Sequence, residues 1–216
     1  MKVEANKKYV NKIFSLLKRE YEEVYCFLNN ETPFQLLVST ILSAQCTDER
    51  VNIVTDILFK EYKTPSDFLK IPSSKLEKLI YSTGFFKQKA KSIKNCSKML
   101  IEKYNGVVPN NIDELIKLPG VGRKTASVVL GNVFKIPSIA VDTHVTRLTN
   151  LLGIVDTIDP VKIEFKLKEF LPKNDWINSS HYLIRHGRTV CNAKKPKCSI
   201  CILSKICPSF KPEDLK

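Results

Sequence analysis

The sequence predicts an all-α fold, and three observations predict it. Apolar residues recur at the 3.6-residue period of a buried helix face along most of the chain. No apolar/polar alternation is long enough to require a sheet. Capping and stop residues bracket the periodic runs, as they do at helix ends.

The elements follow in order. Val10, Ile13, Phe14 and Leu17 recur at i, i+3, i+4, i+7 and mark an N-terminal helix. Phe34 to Leu42 is apolar enough for a buried helix, which breaks at Ser43-Ala44-Gln45-Cys46. Thr47 then reads as an N-cap, with Asp48 and Glu49 in the first turn of a helix running to about Tyr62. Pro65-Ser66-Asp67 opens a short helix. Ser74 and Glu77 have capping-box spacing ahead of Leu79 and Ile80, and Gly84 is the expected stop. From Lys87 to about Tyr104 a helix divides its faces, with Lys87, Lys91, Lys94 and Lys98 on one side and Ile93, Cys96 and Leu100 on the other. That lysine stripe is either a solvated face or an approach for phosphate.

Asn111 and Glu114 are spaced as a capping pair for a short run, Ile112 to Lys117. A second run, Thr125 to Phe134, buries Ala126, Val129, Leu130, Val133 and Phe134, leaving Lys124, Ser127 and Gly131 on its open side. Pro137 to Val141 is an extended link. Asp142-Thr143-His144 opens the next helix, which ends near Gly153. Asp159-Pro160 opens another through Phe170, and Trp176 to Arg188 is the last. No internal repeat or low-complexity tract is present.

A chain of 216 residues has ample length for a core, and 43% hydrophobic with 26% charged residues is ordinary for a globular protein. Lys and Arg number 35 against 22 Asp and Glu, a formal charge of +13. A polyanion is the natural partner, nucleic acid before a membrane surface. No segment approaches the roughly 18 apolar residues of a membrane span. The opening residues, Met1-Lys2-Val3-Glu4-Ala5-Asn6-Lys7-Lys8, have no apolar core for a signal peptide. The expected location is therefore the reducing cytoplasm, where seven cysteines point to metal or cluster ligation before disulfides.

The two central runs meet at Leu118-Pro119-Gly120-Val121-Gly122-Arg123-Lys124-Thr125-Ala126. Pro119 disfavours the helical region for Leu118, and the two glycines permit a tight hairpin. They also leave backbone amides uncovered where the second helix presents its own free N–H groups. An anionic oxygen fits there. Lys124 beside it reads equally as a phosphate contact or as a reactive amine. Asp142 by itself reads as an N-cap.

Near the C-terminus the chain changes character. Cys191-x6-Cys198-x2-Cys201-x5-Cys207 places four thiols in a run with few apolar residues, which needs a metal centre to hold it. A four-iron cluster takes four cysteines. Zinc also does, although only Cys198 and Cys201 form a short knuckle of the structural-zinc type. Cys26, Cys46 and Cys96 have no ligand spacing and are expected as small core residues.

The hairpin at 118–126, Val141-Asp142-Thr143-His144 and this cysteine spacing together resemble the endonuclease III family of helix-hairpin-helix-Gly/Pro-Asp DNA glycosylases. Ile41-Leu42-Ser43-Ala44-Gln45 and Tyr104-Asn105-Gly106 extend the likeness through nearly the whole chain. The resemblance implies two helical lobes flanking a DNA-binding cleft. One would be a six-helix domain, 26–136, with the helix-hairpin-helix at about 112–134. The other would join 1–25 to 137–216 and carry a [4Fe-4S] cluster on Cys191, Cys198, Cys201 and Cys207. Lys124 and Asp142 would meet across the cleft at a flipped nucleotide.

That implies a base-excision enzyme, a monomer on double-stranded DNA containing damaged pyrimidines or abasic sites, associated with the nucleoid. Lys124 would be the nucleophile and Asp142 the carboxylate that stabilises charge on the sugar. Gln45 matches the residue filling the space left by the flipped nucleotide, and Phe85 aligns with a wedge position, although Phe85-Phe86 reads equally as core. Gly120, Val121, Gly122 and Arg123 would grip phosphate, and Lys194, Lys195 and Lys197 would form a basic loop presented by the cluster. His144, His181 and His186 are expected to be structural. The alternatives are a monofunctional mismatch glycosylase, a hairpin protein that binds DNA without chemistry and, more distantly, an electron carrier. The short run after Cys207 is expected to leave no room for the extra domain of adenine-type mismatch enzymes.

Overall fold

A computed structural model describes residues 5–211; residues 1–4, part of the stretch read for a leader, lie outside the described residues. Among the described residues the structure is all-helical. The α-helices are α1 (Lys7–Glu20), α2 (Pro33–Leu42), α3 (Asp48–Glu61), α4 (Pro65–Lys70), α5 (Ser73–Ile80), α6 (Phe86–Tyr104), α7 (Ile112–Leu115), α8 (Arg123–Asn132), α9 (Thr143–Leu151), α10 (Pro160–Phe170) and α11 (Trp176–Thr189). Short 3-10 turns cover Tyr81–Thr83, Lys173–Asp175 and Cys198–Ile200. No helix among the described residues is long and apolar enough to cross a membrane.

The chain divides into two compact units, Cys26–Ile136 and the described parts of Met1–Tyr25 with Pro137–Lys216. The continuous unit holds seven α-helices, α2 to α8, matching the seven runs read from the sequence where the resemblance implied six, and the short α4 and α7 each form on their own caps. Leu36, Leu37, Leu42, Leu58, Phe68, Leu76, Ile80, Ile93, Leu100 and Leu115 are fully buried there. Each such side chain contributes about 1.5–3 kcal/mol over its exposed state, so this core dominates the unit's stability. In the split unit, α1 packs on α10 and α11, and α9 on α11. All four apolar residues read from its periodicity, Val10, Ile13, Phe14 and Leu17, are buried.

Most caps form where the sequence places them. Thr47 accepts from Arg50 N–H, Asn111 from Asp113 and Glu114, and Asp159 from Val161 and Lys162. Three readings are corrected. Ser74 does not cap α5, because the extended ψ of 138° at Pro72 ends the preceding loop there and the helix starts at Ser73, two residues before a Ser74 cap would start it. Glu114 does not reach back to Asn111; its carboxylate accepts from Tyr104 O–H at 2.6 Å and pairs with Lys117 at 2.7 Å. Of the lysine stripe on α6, Lys94 donates to the carbonyls of Phe68, Leu69 and Ile71 at the end of α4, and Lys98 pairs with Glu102. The stripe is therefore not a continuous phosphate track.

Candidate nucleic-acid interface and cysteine centre

The hairpin of the continuous unit is built almost wholly from backbone. Val121 N–H donates to Leu118 O at 3.0 Å across Pro119-Gly120, and Gly120 takes φ +80°. A proline followed by a residue at positive φ is the type II turn. Gly120 is required twice over. A Cβ there would lie 2.7 Å from Cβ of Ser92 on α6, in addition to the strain of its φ. Gly122 differs, since a Cβ there would meet nothing within 4 Å. The space beside Gly122 is open.

Gly122 is also the N-cap of α8 and carries no capping side chain. The helix's own bonding begins with Ala126 N–H to Gly122 O at 3.0 Å, so the amides before Ala126 are not consumed by α8. Those amides and the positive end of a ten-residue helix suit an anionic oxygen. Val121 is buried, so only its backbone is available to a ligand. Arg123 is half-buried, and Lys124 is exposed in the first turn. Ser127 and Gly131, read as sharing an open face with Lys124, are buried. Because α8 packs along α2 and against α7, its open surface is confined to the first turn.

Four helix ends of this unit carry a non-glycine residue of positive φ: Gln45 at +53° after α2, Phe85 at +49° before α6, Asn105 at +50° after α6 and Lys135 at +55° after α8. Gln45 is exposed. Phe85 is 65% exposed and so is not a core residue, whereas Phe86 packs against the core, its ring 4.8 Å from that of Tyr81. A large aromatic left in solvent on a left-handed backbone is an outlier that points to a function.

In the split unit, Asp142 is the N-cap of α9. Its Oδ1 accepts from Val145 N–H at 2.8 Å, while Oδ2 has no hydrogen-bond partner among the described residues. The cap holds the carboxylate in one orientation.

The four C-terminal cysteines, Cys191, Cys198, Cys201 and Cys207, line one cavity of about 100 Å³, walled by Leu148, Leu152 and Leu203. Burial pushes the Cys201 thiol up from its ordinary value; the Leu203 amide opposes this, and the other three cysteines reinforce it. The environment of two sulfurs is polar. Arg147 donates to Cys191 O at 2.7 Å and lies 3.8 Å from its Sγ. His186 Nε2 lies 3.5 Å from Cys201 Sγ, and its Nδ1 lies 2.9 Å from Tyr21 O–H. Burial, and then the Arg147 guanidinium, push His186 down to about 4, so the ring is neutral at pH 7. If Tyr21 donates to Nδ1, the Nε2–H of that neutral ring points at sulfur. Lys194, Lys195 and Lys197 are exposed between the first two cysteines. Among the described residues no three His, Cys, Asp or Glu form a group that could hold a single metal ion. Cys96 is buried as expected, its thiol pushed up by burial to about 12, and Cys26 and Cys46 are partly buried against the core.

Residues 38–173 match the family model described as HhH-GPD superfamily base excision DNA repair protein. Endonuclease III of Synechocystis sp. is 46% identical over 209 residues, 96% of this chain and 95% of that protein. Endonuclease III of Bacillus subtilis is 48% identical over 192 residues, 88% of each. The chain belongs to the endonuclease III family. A solved structure described as a trapped endonuclease III–DNA covalent intermediate is similar at TM-score 0.92 and 41% identity, over 95% of this chain and 97% of that one. The protein is thus a base-excision DNA repair enzyme, a DNA glycosylase with abasic-site lyase activity.

Within this endonuclease III fold, sequence reasoning missed two sets of residues. Tyr21 and His186, which stand behind Cys201, are 165 positions apart and carry no mutual signal. Lys89 is 5% exposed although it is a lysine. Its signal was present, because 89, 93, 96 and 100 continue the apolar face of α6 one turn back.

Proposed function

We propose that the protein excises oxidised and otherwise damaged pyrimidines from double-stranded DNA and nicks the resulting abasic site by β-elimination. The observation that carries this reading is Lys124, an exposed amine in the first turn of α8 beside the uncovered amides of the hairpin. Phosphate bound at those amides fixes the backbone of the damaged strand next to the amine. Neutral Lys124 attacks the anomeric carbon, and the base departs with the electron pair of the glycosidic bond. Loss of the sugar-ring oxygen link and of a proton from nitrogen gives the Schiff base. The iminium acidifies the adjacent sugar proton; its removal expels the 3′ phosphate, and water then releases Lys124. Asp142, held by its cap with Oδ2 free, assists the attack and stabilises positive charge on the sugar.

Gln45 and Phe85 enter the duplex at the flipped nucleotide. Gly120, Val121 and Gly122 contact phosphate through backbone, with Arg123 adding charge. Lys194, Lys195 and Lys197 contact phosphate further along, and the protein acts as a cytoplasmic, nucleoid-associated monomer. Cys191, Cys198, Cys201 and Cys207 hold a [4Fe-4S] cluster. Their spacing supports this over zinc, since only Cys198 and Cys201 form a short knuckle of the structural-zinc type, and all four line one cavity. When bound, the cluster supplies a rigid anchor for the 191–207 loop, since neither cleavage consumes electrons.

Borohydride reduction in the presence of DNA containing thymine glycol or an abasic site tests the reading. A covalent protein–DNA adduct is expected, and Lys124→Ala should abolish it while retaining DNA binding. Base release with no adduct in the unaltered protein would move it to the monofunctional class. Binding with neither product would remove the chemistry assigned to Lys124.

A further inference from the structure

The ammonium of Lys89 is buried between two of the loops that break at positive φ, those of Gln45 and Phe85. Its Nζ donates to Leu42 O at 2.8 Å and to Thr83 O at 2.7 Å. Leu42 ends α2, three residues before Gln45; Thr83 ends a 3-10 turn, two residues before Phe85. The same residue's backbone N–H donates to Phe85 O at 3.0 Å. One side chain thus ties the end of the Gln45 loop to the end of the Phe85 loop, and its backbone fixes Phe85 from the other side. Among the described residues no carboxylate is paired with it; two main-chain carbonyls are its acceptors. Burial lowers its proton affinity, which is the expected cost of placing a cation there. A leucine at this position of the α6 face would pack in the core without that cost. The buried charge therefore needs a reason, and the loops it joins supply one.

We propose that Lys89 is the positioning residue that holds Gln45 and Phe85 in register with each other for entry into DNA. The inference rests on the reading that those two side chains enter the duplex. Each sits in a left-handed conformation that an L residue leaves readily, and each is exposed, so little but the backbone sets its direction. Two short charge-assisted bonds to adjoining backbone set both directions at once. Removing the ammonium leaves each loop present but its spacing to the other unfixed. Steps that require a nucleotide to be turned out of an intact duplex suffer; elimination at an abasic sugar in single-stranded DNA, where nothing needs displacing, does not.

The experiment compares Lys89→Met with the unaltered protein on two substrates, duplex thymine glycol and a single-stranded abasic oligonucleotide. Excision from the duplex is expected to fall about 30-fold or more, with single-strand elimination within about threefold of normal. The same substitution is then made in a Gln45→Ala, Phe85→Ala background. A positioning role predicts no further loss of excision there, whereas a general packing role predicts the full loss again. Full additivity, equal loss on both substrates, or unchanged excision would each overturn the proposal. If Gln45→Ala and Phe85→Ala alone leave excision untouched, the reading of those two residues fails, and that result is separate from any result at Lys89. Should Lys89→Met fail to fold by circular dichroism, Lys89→Arg is read on the same two substrates. It keeps charge but moves the donors, so selective loss of duplex excision supports the proposal and full duplex activity overturns it.

Discussion

The continuous unit and the split unit reach a functional surface by opposite means. In Cys26–Ile136 a large apolar core comes first, and the surface features are backbone devices mounted on it: a type II turn, an uncapped helix start and the left-handed residues Gln45 and Phe85 among others. In the split unit the run after α11 has almost no core of its own. Leu203 is the one apolar side chain between 191 and 211 buried to core level. That run is tied instead by scattered bonds, such as Tyr9 O–H to Ile206 O and Ser209 O–H to Leu151 O, and by four thiols around a cavity. Burial specifies the first region, and ligation is the means proposed for the second. The difference predicts that the two will fail under different insults.

The largest effect is expected from breaking ligation. Replacing Cys198 with Ser should lower bound iron to near zero and remove the brown colour. Hydrogen exchange should then show loss of protection across 191–211 with little change in 26–136. If protection across 191–211 is retained in an iron-free protein, the run is held by its bonds alone and the contrast between the two units collapses.

Within the continuous unit, the two hairpin glycines sharpen the comparison, because the fold requires one and the proposed phosphate contact requires the other. Gly120→Ala must accept both a left-handed backbone and a 2.7 Å approach to Ser92, so a loss of about 2–4 kcal/mol in thermal or denaturant melts is expected. Gly122→Ala has open space and an ordinary φ of −87°, so its stability should stay within about 0.5 kcal/mol. Its methyl group instead occupies the approach to the amides. Binding to DNA carrying an abasic analogue, read by fluorescence anisotropy, should weaken about tenfold, roughly 1.4 kcal/mol. Equal affinity for Gly122→Ala and the unaltered chain would remove phosphate from that position.

What was legible in the sequence follows the same division. Periodicity, caps and the Pro119-Gly120 turn are local signals, and α1, α2, α3, α6 and α8 form close to where those signals place them. The four cysteines were legible because their spacing is local too. Lys94 was misread because its acceptors lie at the end of a different helix, and no local pattern says where α4 will stop. The left-handed conformations of Gln45 and Phe85 were not legible, since neither residue type announces positive φ as glycine does. Lys89 could have been read. A lysine in phase with Ile93, Cys96 and Leu100 is a charge on a core face, and such a charge must find acceptors.

Asp142 tests whether a residue explained by local structure also carries chemistry, and it does so with the smallest change in stability. Its side chain caps α9, which is a complete structural reason for an aspartate there. Asn caps a helix about as well as Asp, and Ala does not. Asp142→Asn should therefore melt within about 0.5 kcal/mol of the unaltered protein, and Asp142→Ala about 1 kcal/mol below it. Activity should divide the variants differently. Asn lacks the negative charge, so both substitutions are expected to slow base excision about 10²–10⁴-fold, the usual range for losing a positioned acid–base group. If Asp142→Asn cuts as fast as the unaltered protein while Asp142→Ala is slow in proportion to its lost stability, the cap is the whole role of Asp142. The chemistry would then rest on the continuous unit alone, through Lys124.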